Sequence, residues 1–185
     1  MRRIAWLFGG VCTLVAMSAN AAVAQNTPIE GYATAHLGGT RGGDVPDTWR
    51  TVGGSVAVVE DSGWGAEMDL GYASHKTTTR DNSLGTFMVN LNWVSPKGLV
   101  RPFGVVGAGV VRLGGCLSSC VSTTTVTDFG LNAGAGVYVP LNDMVAVRGD
   151  GRYFWAPGEH PDSFRPDNYG FWRFSVGVTL QWVVS

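Results

Sequence analysis

The chain has 185 residues, of which 27 are Gly, 45% are hydrophobic and only 15% are charged, and its formal net charge is -1 at pH 7. This length suits one domain, and the slightly acidic balance excludes the basic surface that a nucleic-acid partner requires. So low a charge content, with so many glycines, is unusual for a water-soluble protein.

The N-terminal residues are predicted to form a cleaved signal peptide. Two arginines precede an apolar run, and Ala22-Val23-Ala24 forms an A-x-A cleavage pattern before Gln25. The run is shorter than the roughly 20 residues that a membrane-spanning helix needs, which disfavours a retained anchor. We therefore expect residues 1–24 to be removed and residues 25–185 to form the mature domain.

Eight segments follow in which apolar residues alternate with polar or small residues, the period of a β-strand. In chain order they span residues 29–37, 51–59, 65–72, 86–93, 101–113, 129–139, 145–155 and 171–182. The alternation is weak in the first segment, ambiguous in the fifth and clearest in the fourth and eighth. Most segments approach the length of about 9–11 residues with which a tilted strand crosses a membrane.

The connections between these segments alternate in length. The short ones are EDSGW, VSPKGL and PLND, and the long ones are TRGGDVPDT, ASHKTTTRDNSL, GGCLSSCVSTTTVT and WAPGEHPDSFRPDNY. Short turns on one side and long loops on the other are typical of an outer-membrane barrel. The sequence therefore predicts an all-β fold, an eight-stranded antiparallel up-and-down transmembrane β-barrel with long loops outside and periplasmic termini. Export also favours a disulfide between Cys116 and Cys120 in the third loop over two free thiols.

Aromatic residues lie near the predicted strand ends, which favours two interfacial girdles. The periplasmic set is Trp64, Trp93, Phe103 and Trp182, and the outer set is Trp49, Tyr72, Phe87, Phe129, Tyr153, Trp155 and Trp172. Aromatics of a soluble barrel's core have no reason to lie at strand ends.

The charged residues of the strands fall on the face opposite the apolar one. In a membrane barrel this face turns inward, where Arg suits bidentate pairing with carboxylates. The predicted lumen charge network is Glu67, Asp69, Arg112, Arg148, Asp150, Arg152 and Arg173. Arg148-Gly149-Asp150 has the sequence of an adhesion tripeptide, but it lies within a predicted strand and not on a loop tip.

These patterns resemble the small eight-stranded outer-membrane barrels, the family that includes the OmpA transmembrane domain and OmpX-like proteins. The segments that carry the resemblance are FGLNAGAGVYVPL, VAVRGDGRYF and FSVGVTLQW. The resemblance implies contact with outer-membrane lipid and lipopolysaccharide, and an assembly signal, read by the barrel-assembly machinery, that includes Gly177, Leu180 and Trp182. The sequence departs from that signal because it has no terminal Phe.

We expect from this a non-enzymatic protein of the cell outer membrane with a structural role in the envelope. A competing interpretation is a surface interaction barrel whose third and fourth loops contact an extracellular protein or glycan. No cofactor is expected, and three scattered histidines predict no metal site. One alternative is a soluble, lipocalin-like periplasmic barrel that binds an apolar ligand, because alternation alone does not distinguish the inner face from the outer. Another is a lipid-A-modifying hydrolase that uses His160 and Ser163 of the fourth loop, although its motif is absent.

Overall fold

The computed structural model describes residues 29–43, 45–76, 80–96, 98–117, 123–157 and 169–184. They form eight strands: β1 (Ile29–Gly42), β2 (Val45–Glu60), β3 (Trp64–Lys76), β4 (Arg80–Val94), β5 (Arg101–Leu117), β6 (Thr123–Pro140), β7 (Val145–Ala156) and β8 (Tyr169–Val184). Each strand pairs antiparallel with the next, and β8 pairs with β1, so the sheet closes into a barrel. This confirms the predicted eight-stranded antiparallel fold. The predicted signal peptide lies outside the described residues, and within the described ones there is no helix long and apolar enough to cross a membrane.

The register fixes the tilt of the strands. A path that starts at Gly31 in β1 and steps from each residue to its partner on the next strand ends at Arg41 of β1. It passes through Val58, Ala66, Leu91, Val106, Ala133, Tyr153 and Trp172. The circuit therefore returns to β1 ten residues further along. With strands about 4.8 Å apart and a rise of about 3.3 Å per residue, this stagger tilts the strands by about 40°. A barrel of this size has an interior just wide enough for side chains to fill.

The two ends of the barrel differ. The terminal end, where Ile29 and Val184 lie, carries the connections after β2, β4 and β6, and the loop end carries the other connections. Three of the four connections predicted to be long are mostly strand, so the prediction that every second connection is long is wrong. The sharpest case is the first, where β1 ends at Gly42 and β2 begins at Val45.

At the loop end the chain forms paired strands where loops were predicted. Strand pairing gives the backbone N–H and C=O groups hydrogen-bond partners within the protein, whereas a loop would leave many of these groups bonded to water. Gly42 and Gly43 adopt positive φ angles of 78° and 60°, the conformation that tight hairpin turns require. Below the turn the hydroxyls of Thr40 and Thr51 are 2.8 Å apart across the hairpin. Only the fourth connection, between Ala156 and Tyr169, keeps its predicted length.

The outer face of the barrel is apolar on every strand. Its exposed large side chains include Leu37, Val52, Val56, Leu70, Tyr72, Val89, Leu91, Val106, Val110, Phe129, Val137, Trp155, Trp172, Phe174, Val176, Val178 and Leu180. A water-soluble monomer rarely exposes contiguous apolar patches larger than a few hundred Å². This exterior therefore suits a lipid environment.

The interior has two apolar clusters with a polar layer between them. The cluster at the terminal end includes Tyr32, Val59, Phe103, Val105 and Tyr138. The cluster at the loop end includes Trp49, Met88, Val111, Phe154 and Phe171. Trp49 and Phe103 thus lie inside the barrel, and their prediction as girdle residues is wrong because the strand alternation, not the distance from the strand end, sets the direction of each side chain.

Candidate functional site: the charged lumen

Three strands deliver the charges to the middle of the barrel. Successive side chains in a strand alternate between its two faces. Glu67 and Asp69 of β3 are two residues apart, as are Arg148, Asp150 and Arg152 of β7, and each set therefore shares one face. All of these residues have buried side chains, and so has Arg173 of β8.

Glu67 binds two arginines from the far wall. Its Oε2 is 2.7 Å from Arg148 Nη1 and its Oε1 is 2.8 Å from Arg152 Nη2. The side-chain amide of Asn90 donates a further hydrogen bond of 3.0 Å to Oε1. A buried carboxylate is tolerated when it is paired and hydrogen-bonded in this way.

Asp150 joins the same two arginines along β7. Its Oδ2 lies 3.0 Å from Arg148 Nη2 and 2.9 Å from Arg152 Nε, and Ser175 donates a hydrogen bond to Oδ1. The adhesion tripeptide is therefore not displayed, because Arg148 and Asp150 are buried and bound to each other.

Aromatic rings support Arg148 from the terminal end. Its guanidinium carbon lies 4.5 Å from the centroid of Phe103 and 5.2 Å from that of Tyr138. The Tyr138 hydroxyl is also 2.9 Å from Arg148 Nη1, and Ser55 Oγ is 3.1 Å from it. Such contacts stabilise a cation most strongly where water is excluded.

Asp69 forms a second centre with Arg173. The pair is bidentate, with Oδ1 at 2.8 Å from Nη1 and Oδ2 at 3.0 Å from Nη2. Arg152 Nη1 lies 3.7 Å from Oδ2 and links this centre to the one around Glu67. His36 Nε2 lies 3.9 Å from the same oxygen.

Sequence reasoning missed His36 because the alternation in β1 is weak. Glycines make room for its ring: a Cβ at Gly53 would lie 2.4 Å from His36 Nε2, and a Cβ at Gly177 would lie 2.9 Å from His36 Cβ. Both strands next to β1 carry a glycine beside His36, and this coincidence is the sequence signal that could have located the histidine.

Arg112 does not join the network, and its prediction as a lumen residue is wrong. It is exposed on the outer face of β5, because its neighbour Val111 is fully buried and turns inward. Pairing of Val111 with Thr86, itself buried, fixes that direction. Without Arg112, three arginines face three carboxylates, so the formal charges of the network balance.

The remaining predicted residues have other positions. Gly177 faces the lumen beside His36, whereas Leu180 and Trp182 are exposed on the outer face. A Cβ at Gly31 would lie 2.3 Å from Trp182 Cε2, so the indole occupies the space beside Gly31 of β1. These positions do not test the assembly signal.

Two predicted features fall outside what the structure describes. The backbone of Cys116 belongs to β5 and pairs with Thr123, but its side chain and all of Cys120 lie outside the described part of the chain, and the disulfide stays a prediction. His160 and Ser163 are also outside the described residues. Within the described ranges no group of three or more His, Cys, Asp or Glu side chains could hold a metal ion.

Comparisons with known proteins agree with this architecture. A family model described as "Outer membrane protein beta-barrel domain" matches residues 10–181. Among solved structures the chain is similar to Neisserial surface protein A, with TM-score 0.58 and 14% identity over 83% of this chain and 96% of that one. It is also similar to Ail, the attachment invasion locus protein of Yersinia pestis (0.56, 12%, 84% and 99%), and to the N-terminal barrel of Pseudomonas aeruginosa OprF (0.53, 16%, 83% and 97%). A search of curated proteins found no match.

Proposed function

The chain belongs to the outer membrane protein beta-barrel domain family, and from this premise we propose that it is a non-enzymatic structural protein of the cell outer membrane. In this proposal residues 1–24 direct export and are cleaved. The barrel-assembly machinery then inserts the mature chain with its loop end outside. The barrel contributes to the integrity of the envelope.

The filled lumen carries this proposal. Balanced ion pairs occupy the middle of the barrel, with an apolar cluster on either side. A lipocalin-like carrier needs an open apolar cavity inside and a polar surface outside. The described residues instead fill the interior with ion pairs and packed apolar side chains and place an apolar surface outside. A wide channel is equally disfavoured, since the interior of an eight-stranded barrel is filled by side chains.

The test is the permeability of the envelope. Cells that lack the protein are expected to take up a hydrophobic fluorescent dye faster than the parent cells, and expression of the parent chain should restore the barrier. Equal uptake in the deletion strain and the parent would contradict the structural role. Enzyme activity of the purified barrel on lipid A, lost on replacement of Ser163 by Ala, would contradict the non-enzymatic role.

A second candidate function is contact with an extracellular protein or glycan, favoured by the reach of one hairpin. β5 extends to Leu117 and β6 begins at Thr123, well beyond Phe129, which lies on the outer face of β6 near the loop end. Loops and hairpin tips on a rigid scaffold commonly carry binding.

Shortening this hairpin is expected to spare the barrel. Replacement of residues 115–124 by Asn-Gly leaves the pair Gly114 and Thr125 intact and joins it by a favoured two-residue turn. Assembly, measured as heat-modifiable gel migration, should therefore persist, and binding of cells or matrix proteins should fall if the hairpin is the contact. Loss of assembly would show that the hairpin is not a dispensable contact surface.

A further inference from the structure

His36 is a buried titratable side chain of the lumen, and one of its ring nitrogens is unpaired. The side chain is 6% exposed, and Nε2 has no hydrogen-bond partner within the described part of the chain. The nearby hydroxyls of β1 are satisfied, since Thr34 and Thr179 are 2.8 Å apart, as are Thr40 and Thr51. Histidine is also the side chain whose charge ordinarily changes between pH 5 and 8. Acid therefore acts on this ring before it acts on the carboxylates of the lumen.

The ring lies beside a strip of the inner wall that carries no side chains. His36 is paired with Gly53 of β2, and Gly53 is paired with Gly71 of β3. A Cβ at Gly53 would lie 2.4 Å from His36 Nε2, and a Cβ at Gly71 would lie 2.6 Å from Arg173 Nη1. The imidazole and this guanidinium group thus occupy neighbouring positions over the two glycines.

The charges that act on His36 are already paired with one another. Asp69 of β3, whose Oδ2 lies 3.9 Å from Nε2, binds Arg173 of β8 with its Oδ1 at 2.8 Å from Nη1. Arg148 and Asp150 of β7 also act on the ring, and their Nη2 and Oδ2 atoms are 3.0 Å apart. The inward positions beside the ring on β1, β2 and β8 are uncharged and include Thr34, Gly38, Gly53, Ser55, Ser175 and Gly177. Every described carboxylate near the ring therefore has a cationic partner.

A proton on His36 would upset the balance of the lumen. Four cationic side chains would face three carboxylates in an interior filled by side chains, and an unbalanced buried charge is costly. In the unfolded chain the same proton is solvated by water. Since the unfolded chain then binds more protons than the folded barrel, stability is complete above the ordinary pKa of histidine, about 6.5, and falls as the pH drops below it.

We propose that His36 makes the barrel acid-sensitive: the folded lumen holds the ring neutral, and uptake of a proton requires the packing around Gly53 and Gly177 to loosen. This inference goes beyond the envelope role, because it needs only the closed barrel. His75, the other histidine of the described ranges, has a different environment. Its side chain is 25% exposed at the loop end and lies 3.6 Å from the exposed Asp47, so water and a carboxylate accept its proton without loosening the lumen.

Urea unfolding of the intact barrel in detergent at about pH 8 and about pH 5.5 tests this directly, since histidines change charge in this range while carboxylates stay mostly ionised. We expect the unfolding equilibrium constant of the parent to rise about tenfold at the lower pH, the limit for one histidine that takes up its proton only when unfolded. In H36Q the constant should change by less than about twofold. H75Q is the matched control and should keep the response of the parent. The ratio between the two pH values is unaffected by any loss of packing in H36Q that is equal at both.

Nuclear magnetic resonance of the folded parent, with the histidine rings labelled with ¹⁵N, gives a second readout that needs no folded H36Q. We expect the His36 ring signal to stay that of the neutral imidazole at both pH values, whereas the His75 signal moves to that of the charged form. Three results would overturn the proposal. They are equal unfolding constants of the parent at the two pH values, a tenfold response that persists in H36Q, and a charged His36 ring in the fully folded barrel at the lower pH.

Discussion

Replacement of Arg148 by Ala is expected to lower the free energy of unfolding in detergent by about 3–5 kcal/mol, the usual effect of breaking one partner of a buried ion pair. Arg148 is 2.7 Å from Glu67 and 3.0 Å from Asp150. Its removal leaves Arg152 to neutralise both carboxylates. The measurement is the urea midpoint of unfolding, followed by heat-modifiable migration.

The control is Arg112→Ala, which removes the same charge from the exposed face of β5 and should change stability by less than about 0.5 kcal/mol. A double variant, E67Q/R148M, removes both charges and should recover part of the loss, because replacing a whole buried pair is far less harmful than orphaning one member. If Arg148→Ala unfolds at the same urea concentration as the parent, the lumen network does not stabilise the barrel.

A single methyl group at Gly177 is expected to destabilise the barrel by about 1–3 kcal/mol, the usual range for overpacking. An added Cβ would lie 2.4 Å from the backbone oxygen of Ala35 and 3.0 Å from His36 Cα. Backbone atoms cannot turn aside as a long side chain can, so β1 and β8 would have to separate locally. Gly177→Ala should therefore unfold at a lower urea concentration than the parent.

Gly149→Ala is the matched control, since a Cβ there meets no atom within 4 Å. We expect it to stay within about 0.5 kcal/mol of the parent. The pair also bears on the assembly signal. If Gly177→Ala assembles slowly in cells yet is as stable as the parent once folded, Gly177 acts in recognition and not in packing.

The sequence predicted the side-chain directions best where polar and apolar residues alternate strictly. In β3, Glu67 and Asp69 alternate with Ala66 and Met68, so the sequence alone identifies the residues that face inward. In β5 the run around Arg112 is apolar on both faces, and only the pairing of Val111 with Thr86 decides which side turns inward. Such pairing is a tertiary property that one strand's sequence does not contain.

The loop end was misread for a related reason. Above the lipid both faces of a hairpin can be polar, and the segment TRGGDVPDT therefore reads as loop although most of it pairs as strand. At the loop end the usual directions of polar and apolar side chains are also reversed. Arg50 is charged and faces outward, whereas the neighbouring Trp49 is buried inside the barrel. The polar-inside rule applies only to the part of the strand that faces hydrocarbon.

Density-gradient fractionation of cells that express the full chain tests most directly whether the apolar outer face meets lipid while the charges lie inside. We expect the protein to be recovered with the outer membrane and to be released only by detergent. Recovery in the soluble periplasmic fraction would contradict this expectation.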